Sequence, residues 1–339
     1  MSKFIVVGEN IHCTRVYKVG GSFVKPDGKG FAIVYEAKGA QCKMPVPAAL
    51  MESADWQAGK LKHCAAAVWQ VLNGDSAGKA AGEHYLQALA ARQQAADASF
   101  LDINVDEFST NIDEKITAVK AVARIVQAAS SLPLSIDSAN PAILRAGLAA
   151  CDKARGRAMV NSVSLERGDA IDVAAEHKSV VIASAAGEKD LPSTTEERIR
   201  NLDRLMEKLT AAHITGDAIY IDPLVFPIAT DSNNAVFFLD AIRAVRAKYG
   251  AAIHVTGGLS NVSFGMPNRK LINQVFAWLA VEAGADGGIV DPIQINGTIL
   301  AALDRSAEPY RLAKALLTGE DQFGAEYISA HREGRLGKE

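Results

Sequence analysis

The sequence lacks several features that would point to particular classes of protein. It has only four cysteines in 339 residues, without zinc-site spacing and too few for disulfides to stabilise a chain this long. No apolar run approaches the roughly 18 residues that span a bilayer, and the start of the chain shows no signal-peptide pattern. The formal net charge of −3 gives no electrostatic footprint for nucleic acid. We therefore expect a cytoplasmic protein with reduced thiols that binds neither membrane nor nucleic acid.

Three catalytic signatures are also missing. No Gly-x-Gly-x-x-Gly follows the first strand-like segment, which argues against a dinucleotide site. No Gly-x-Ser-x-Gly provides a nucleophilic serine. The seven histidines are scattered rather than clustered, so a metal-dependent barrel hydrolase is disfavoured and we expect no metal site. His12, beside the end of the first strand, keeps a site role as an alternative to a packing role.

What the sequence does contain is a regular alternation of short apolar runs and amphipathic helical patterns. Eight strand-like segments alternate with helices, which favours an α/β fold, a closed (β/α)8 TIM barrel, over the alternative of an open doubly wound sheet. We expect the barrel over residues 1–310 and a helical C-terminal extension over residues 311–339, of which residues 320–339 form a surface extension.

The first strand and its helix are separated by far more chain than usual. Such connections usually take about 2 to 6 residues, whereas residues 13–76 intervene here, so we interpret them as an inserted subdomain. Within it, two β-rich runs flank a turn at residues 26–30 and predict a hairpin, and residues 54–72 predict one amphipathic helix. The insertion could shield the active site, recognise a partner or form a dimer contact.

Polar side chains follow the predicted strands where each one ends. In a parallel barrel these ends share one face, which carries the active site. Acids and primary amides there suit a neutral heterocycle rich in N–H donors, and suit phosphate poorly. The candidates are Glu9, Asn10, Asp102, Asn104, Asp137, Asn161, Asp222, Asn261 and Asp291.

Six of these strand ends resemble the pterin-binding signatures of the methyltetrahydrofolate:corrinoid methyltransferases. The resemblance runs from Ile5 to about Pro292, without the insertion, and keeps the family's order. Dihydropteroate synthases and the folate domain of cobalamin-dependent methionine synthase share the general plan. The matching segments are Gly8-Glu9-Asn10-Ile11, Leu101-Asp102-Ile103-Asn104-Val105, Ile136-Asp137-Ser138, Val160-Asn161-Ser162, Ile221-Asp222-Pro223-Leu224 and Gly258-Leu259-Ser260-Asn261-Val262-Ser263.

This resemblance implies roles for individual residues. Asp222 would accept the 2-amino group and N3–H of a pterin, since a carboxylate takes two adjacent donors. Asp137 and Asn161 match the residues that hold the remaining ring nitrogens. Asn261 matches the amide near N5, the one catalytic candidate, and Arg269 matches an arginine of the following loop. The folate-binding set is completed by Glu9, Asp102, Asn104, Ser138 and Ser260.

The reaction implied is methyl transfer between N5 of tetrahydrofolate (5-methyltetrahydrofolate in the methylated form) and the cobalt of a corrinoid such as cobalamin. No Asp-x-His-x-x-Gly segment is present to ligate cobalamin, so we expect a separate corrinoid protein as partner, and a homodimer. The direction of transfer is not written in the sequence.

Two alternatives remain open. A dihydropteroate synthase would normally place a lysine in the loop that here carries Asn261, although Arg269 and Lys270 could serve its anionic leaving group. A non-catalytic folate-binding or corrinoid-protein docking module would keep Asn161 and Asp222 but show no turnover.

Overall fold

A computed structural model describes residues 3–28 and 30–337. The strands are β1 Ile5–His12, β2 Val16–Lys18, β3 Val24–Asp27, β4 Gly30–Ala37, β5 Ala40–Pro45, β6 Lys60–Lys62, β7 Phe100–Asn104, β8 Leu134–Asp137, β9 Met159–Val163, β10 Val180–Ser184, β11 Ile219–Asp222, β12 His254–Val255 and β13 Gly287–Val290. The helices are α1 Ala48–Met51, α2 Ala54–Gln57, α3 His63–Asn73, α4 Ser76–Ala95, α5 Ile112–Ala129, α6 Pro141–Ala149, α7 Asp169–His177, α8 Thr195–Ala211, α9 Asn234–Tyr249, α10 Arg269–Ala283, α11 Gly297–Ala301, α12 Glu308–Leu317 and α13 Ala325–Arg332.

Eight of the strands form one sheet in the order β12-β11-β10-β9-β8-β7-β1-β13. The two ends of this order meet, because the Asp286 amide donates to the Val255 carbonyl at 3.1 Å and the Ile289 amide donates to the Gly257 carbonyl at 2.9 Å. The fold is therefore the expected (β/α)8 barrel, with helices between successive strands.

The chain divides into two compact units. The N-terminal unit is Gly8–Asn161 and the C-terminal unit is Met1–Val7 with Ser162–Glu339. In the N-terminal unit β7 pairs in parallel with β8, and Asn104 stands opposite Asp137. In the C-terminal unit β10 pairs in parallel with β11, and Ser184 stands opposite Asp222. Strands β7 and β10 are buried along their whole length, as expected for parallel strands covered on both faces.

Local sequence signals explain where several helices begin. Thr194 and Glu197 form a reciprocal capping box at the start of α8. Asn111 accepts hydrogen bonds from the first amides of α5, and Asn140 caps α6, whose first residue is Pro141. Each cap satisfies amides that have no partner inside the helix.

The segment between β1 and α4 is the predicted inserted subdomain. It contains an antiparallel β3-β4-β5 sheet and a β2-β6 pair. The predicted hairpin is β3 with β4, in which Val24 stands opposite Ile33, while Lys29 of its turn lies outside the described residues. The single helix predicted over residues 54–72 is wrong, because Gly59 takes a left-handed conformation with φ +72° and β6 then separates α2 from α3.

The end of the chain packs more tightly than the expected surface extension. Tyr327 on α13 is fully buried, and its hydroxyl lies 3.3 Å from the Asn268 carbonyl. The Asn268 side chain donates to the Leu336 carbonyl at 3.2 Å. The C-terminal segment therefore supports the loop that precedes α10.

No helix among the described residues has the length and apolar character needed to cross a membrane.

Candidate active site

An acidic cluster lies within the N-terminal unit, on the middle and last residues of neighbouring strands. His12 ends β1, Asp102 and Asn104 lie on β7, and Asp137 ends β8. Asn161 lies on β9. Strand β1 is longer than the sequence predicted, so His12 belongs to the strand itself. The parallel register brings these five side chains together because all of them stand in the middle or at the carboxyl ends of adjacent strands.

Hydrogen bonds divide the cluster into two groups. One is centred on Asp102, and the other joins Asn104 to Asp137. His12 Nε2 lies 2.7 Å from Asp102 Oδ2. Asn161 Nδ2 donates to Asp102 Oδ1 and Oδ2 at 3.4 and 3.3 Å. Asn104 Nδ2 donates to Asp137 Oδ2 at 2.9 Å. The ligand atoms of His12, Asp102 and Asp137 all lie within 4.8 Å of one another, close enough to coordinate one cation.

Charge is concentrated in this cluster under poor solvation. Burial, together with the nearby Asp102 charge, raises the pKa of Asp137 to about 7, although His12 and the Asn104 hydrogen bond oppose the shift. For His12, burial lowers the pKa, but the hydrogen bond and charge of Asp102, with the charges of Asp137 and Glu9, outweigh it, so the pKa is raised. The cluster therefore takes up or releases protons near neutral pH, as acid–base sites do.

Two predicted site residues of this unit bond to other partners. Glu9 accepts a hydrogen bond from Arg15 Nη2 at 2.8 Å, although its charge also acts on His12. Ser138 is fully buried and donates to Asp106 Oδ1 at 2.6 Å. Ser138 thus helps to hold the turn after β8 rather than joining the acidic cluster.

In the C-terminal unit, Asp222 ends β11 and is 8% exposed. Its Oδ1 accepts a hydrogen bond from the Leu224 amide at 2.8 Å. Within the described part of the chain, Oδ2 accepts no hydrogen bond. Burial raises the pKa of Asp222 to about 6, while the Leu224 amide and the charge of Arg198 oppose the increase. Asp222 thus keeps one oxygen available for donors outside the protein.

The backbone around Asp222 is constrained on both sides. Leu224 has φ +71°, a left-handed conformation that costs a non-glycine residue about 1 to 2 kcal/mol and aims its amide at the carboxylate. Gly257 passes close to the same group, since a Cβ there would lie 3.2 Å from Asp222 Oδ1 and 2.8 Å from the Phe238 ring. Any larger residue at position 257 would displace one of these neighbours.

The loop between β12 and α10 carries the remaining predicted residues. Asn261 lies in a 3₁₀ turn, Leu259–Ser263, and is exposed. No hydrogen bond from residues 3–28 or 30–337 engages its side-chain amide. Arg269, in contrast, is bound to its own loop: it donates to the Ser263 hydroxyl at 3.0 Å and the Ser260 carbonyl at 2.9 Å. Asn261 is therefore an exposed polar side chain of this loop that is available to a ligand.

Arg198 is the residue that sequence reasoning missed. It points to the interior from α8 and is 0% exposed. The signal was present, because Arg198 falls in register with the apolar positions Leu202, Leu205 and Leu209, which are also buried. An arginine on the buried face of a helix needs a reason, since charged side chains are almost never fully buried unless paired.

Comparison with known proteins gives three sequence findings. A family model described as pterin binding enzyme matches residues 74–291. The chain is 31% identical over 261 residues to a methylcorrinoid:tetrahydrofolate methyltransferase of Eubacterium limosum, covering 75% of this chain and 90% of the relative. It is 33% identical over 222 residues to a methionine synthase of Mycobacterium leprae (strain TN), covering 61% of this chain and 18% of that longer relative.

A solved structure gives one further finding. The dihydropteroate synthase of Xanthomonas albilineans in complex with 7,8-dihydropteroate superimposes with a TM-score of 0.54 at 23% identity, covering 67% of this chain and 86% of that chain. At this identity the likeness concerns the fold alone.

Proposed function

The chain belongs to the pterin-binding enzyme family, and we propose that it is a methyltransferase that moves a methyl group between N5 of tetrahydrofolate and the cobalt of a corrinoid. The observation that carries the proposal is the similarity to a methylcorrinoid:tetrahydrofolate methyltransferase over nine-tenths of that relative's length, 90%. The acids and amides at the strand ends supply the matching chemistry.

The folate is held by groups that complement its pterin ring. Asp222 accepts the 2-amino group and N3–H, for which its free Oδ2 and its partly occupied Oδ1 are suited. Asp137 and Asn161 hold the remaining ring nitrogens, with Asp102 and Asn104 fixing their orientation. The proposed folate-binding set also contains four residues that hold the strand ends and loops of the site in place. They are Glu9, Ser138, Ser260 and Arg269.

Asn261 acts at the reacting nitrogen. Among the described residues its amide has no hydrogen-bond partner, so it can hydrogen-bond N5 as charge changes there during transfer. An amide cannot itself supply or remove a full proton, so the N5 proton must move through water or other groups. The corrinoid would supply or accept the methyl group without its bonding electrons, because the electron pair of the carbon–cobalt bond belongs to the reduced cobalt in either direction.

We propose that the working direction is toward the folate. The name of the Eubacterium limosum relative, a methylcorrinoid:tetrahydrofolate methyltransferase, supports this direction. The N5 lone pair forms the new nitrogen–carbon bond, the carbon–cobalt bond breaks with its electron pair left on cobalt, and the N5 proton is released. The corrinoid is presented by a separate protein, since the chain has no cobalamin-ligating motif.

We also propose that the chain works as a cytoplasmic homodimer. The inserted subdomain supports the dimer, because Val16 and Phe23 are 47% and 48% exposed there and could pack against a second copy. Sedimentation equilibrium should give twice the chain mass of 35.9 kDa. Charged substitution of Phe23 should then lower the measured mass toward that of one chain.

Spectroscopy tests the activity itself. Methylcobalamin is mixed with tetrahydrofolate, and reduced cobalamin with 5-methyltetrahydrofolate, each with and without the protein. Protein-dependent interconversion of the cobalt spectra supports methyl transfer, and the faster mixture gives the preferred direction. Folate binding without turnover, even with a corrinoid protein present, would support a docking module instead.

A further inference from the structure

Arg198 is buried in an arrangement that leaves much of its hydrogen-bonding capacity unused. Its Nε donates to the Pro223 carbonyl at 2.9 Å. Nη1 and Nη2 are enclosed by protein and, among the described residues, have no hydrogen-bond partner. The guanidinium carbon lies 5.4 Å from the centre of the Phe226 ring, which favours a cation over its face.

The charge of Arg198 is balanced by carboxylates with which it forms no ion pair. No acidic group in the described residues lies within ion-pair distance of its nitrogens. Two carboxylates nonetheless act on it through charge: Asp222, and Glu197 one residue earlier on α8. In return, Arg198 is the charged group that acts on the buried Asp222 carboxylate. A buried cation without a countercharge is costly, so Arg198 and Asp222 stabilise each other's ionised forms.

The hydrogen bond of Arg198 and the hydrogen bond of the Asp222 carboxylate both involve one turn, Asp222-Pro223-Leu224. Arg198 holds the Pro223 carbonyl, and Leu224, in its left-handed conformation, directs its amide to Asp222 Oδ1. Removing the Arg198 hydrogen bond would release the strain that the turn stores. The Asp222 carboxylate would then lose both its fixed orientation and its nearest positive charge.

We propose that Arg198 is a positioning residue for folate binding, which fixes the turn Asp222–Leu224 and keeps Asp222 in the ionised form that accepts two hydrogen bonds. This inference rests on the proposed function. A protonated Asp222 would present an O–H where the pterin requires an acceptor, so loss of the Arg198 charge should make binding depend on pH.

Three variants separate charge from geometry. Arg198→Met removes both, Arg198→Lys keeps a positive charge but loses the guanidinium fork, and Asp222→Asn removes the titrating carboxyl. Binding of 5-methyltetrahydrofolate is measured by calorimetry from pH 5.5 to 9. Because burial already raises the pKa of Asp222 to about 6, the wild type should lose affinity only at the acid end of this range.

We expect the midpoint of binding to move upward by about two pH units in Arg198→Met, giving about tenfold weaker binding at pH 7. The affinity should recover toward pH 9. Arg198→Lys should have a midpoint near that of the wild type, and Asp222→Asn should bind weakly at every pH. Weakening of Arg198→Met by the same factor at all pH values would overturn the proposal and leave Arg198 a packing role.

A second measurement does not depend on folate and remains possible if Arg198→Met does not fold. The carboxyl carbon of Asp222, identified by its absence in Asp222→Asn, is titrated by ¹³C NMR in the ligand-free wild type and in Arg198→Gln, which removes the positive charge but keeps a polar side chain, at low and high salt. Salt should move the Asp222 midpoint little, because the pair is buried, and loss of the guanidinium should move it upward. An unchanged midpoint would overturn the coupling. Wild-type protein that shows the coupling but binds no folate would instead contradict the proposed function.

Discussion

Replacing Asp137 by asparagine should stabilise the protein, and should do so more at high pH. In the folded state burial and the Asp102 charge raise the pKa of the Asp137 carboxyl from 3.8 to about 7. The unfolded chain therefore loses this proton first as the pH rises. Between those two values the folded state binds more protons than the unfolded state, so the free energy of unfolding falls as the pH rises.

The size of the effect follows from the same values. Each pH unit over which one extra proton is bound is worth about 1.4 kcal/mol, and pH 5 to 7 spans about two such units, so the change approaches 3 kcal/mol. Part of this is offset because His12 loses one of the charges that raise its own pKa. We expect Asp137→Asn to raise the free energy of unfolding by about 2 kcal/mol more at pH 8 than at pH 5.

Asparagine is the appropriate replacement because it resembles the protonated carboxyl. Its oxygen can still accept from Asn104, and its N–H₂ can face the Asp102 carboxylate. Urea unfolding at pH 5 and pH 8 gives the two free energies of unfolding. Asp27→Asn is the control, since Asp27 pairs with Lys43 at the surface and its side chain is 44% exposed; its effect should be small at both pH values. Equal destabilisation by Asp137→Asn at both pH values would refute the reasoning.

Three further variants test the proposed roles. Asp222→Ala should weaken 5-methyltetrahydrofolate binding by about 2 to 5 kcal/mol, as for loss of a buried charged acceptor; unchanged affinity in calorimetry would remove Asp222 from the site. Asn261→Ala should lower kcat for methyl transfer much more than it raises KM, and equal changes in both would mean that Asn261 only binds. Tyr327→Leu should remove the bonds that hold Asn268 and increase amide hydrogen exchange in residues 264–268; unaltered exchange there would show that α13 does not support this loop.

The sequence predicted the barrel because its signals are local. Short apolar runs alternate with capped helices, and most barrel strands carry an acid or amide at or near their carboxyl ends, so the sequence predicts the elements from β7 to β13 within a few residues. The helix predicted over residues 54–72 failed because Gly59 has a left-handed backbone, which periodicity does not reveal. Strand β12 is only two residues long, because the backbone beyond Val255 belongs to the loop that leads to α10.

Side-chain partnerships were less accessible to sequence reasoning. Nothing in the sequence shows that Arg269 bonds to Ser260 and Ser263 instead of remaining available, or that Ser138 turns toward Asp106. The acidic cluster required the strand register, which places Asn104 beside Asp137. Arg198 could have been noticed as a charge at an apolar helix position, but its link to Pro223 depends on the tertiary fold.

Methyl transfer from ¹³C-methyl-labelled methylcobalamin to tetrahydrofolate tests the central claim most directly. The folate product is separated and its mass measured, with wild-type protein, with Asp222→Ala and without protein. The account predicts labelled 5-methyltetrahydrofolate with the wild type and strongly reduced labelling with Asp222→Ala. Equal labelling in all three samples, or no labelled folate from wild-type protein supplied with a corrinoid protein as well, would contradict it.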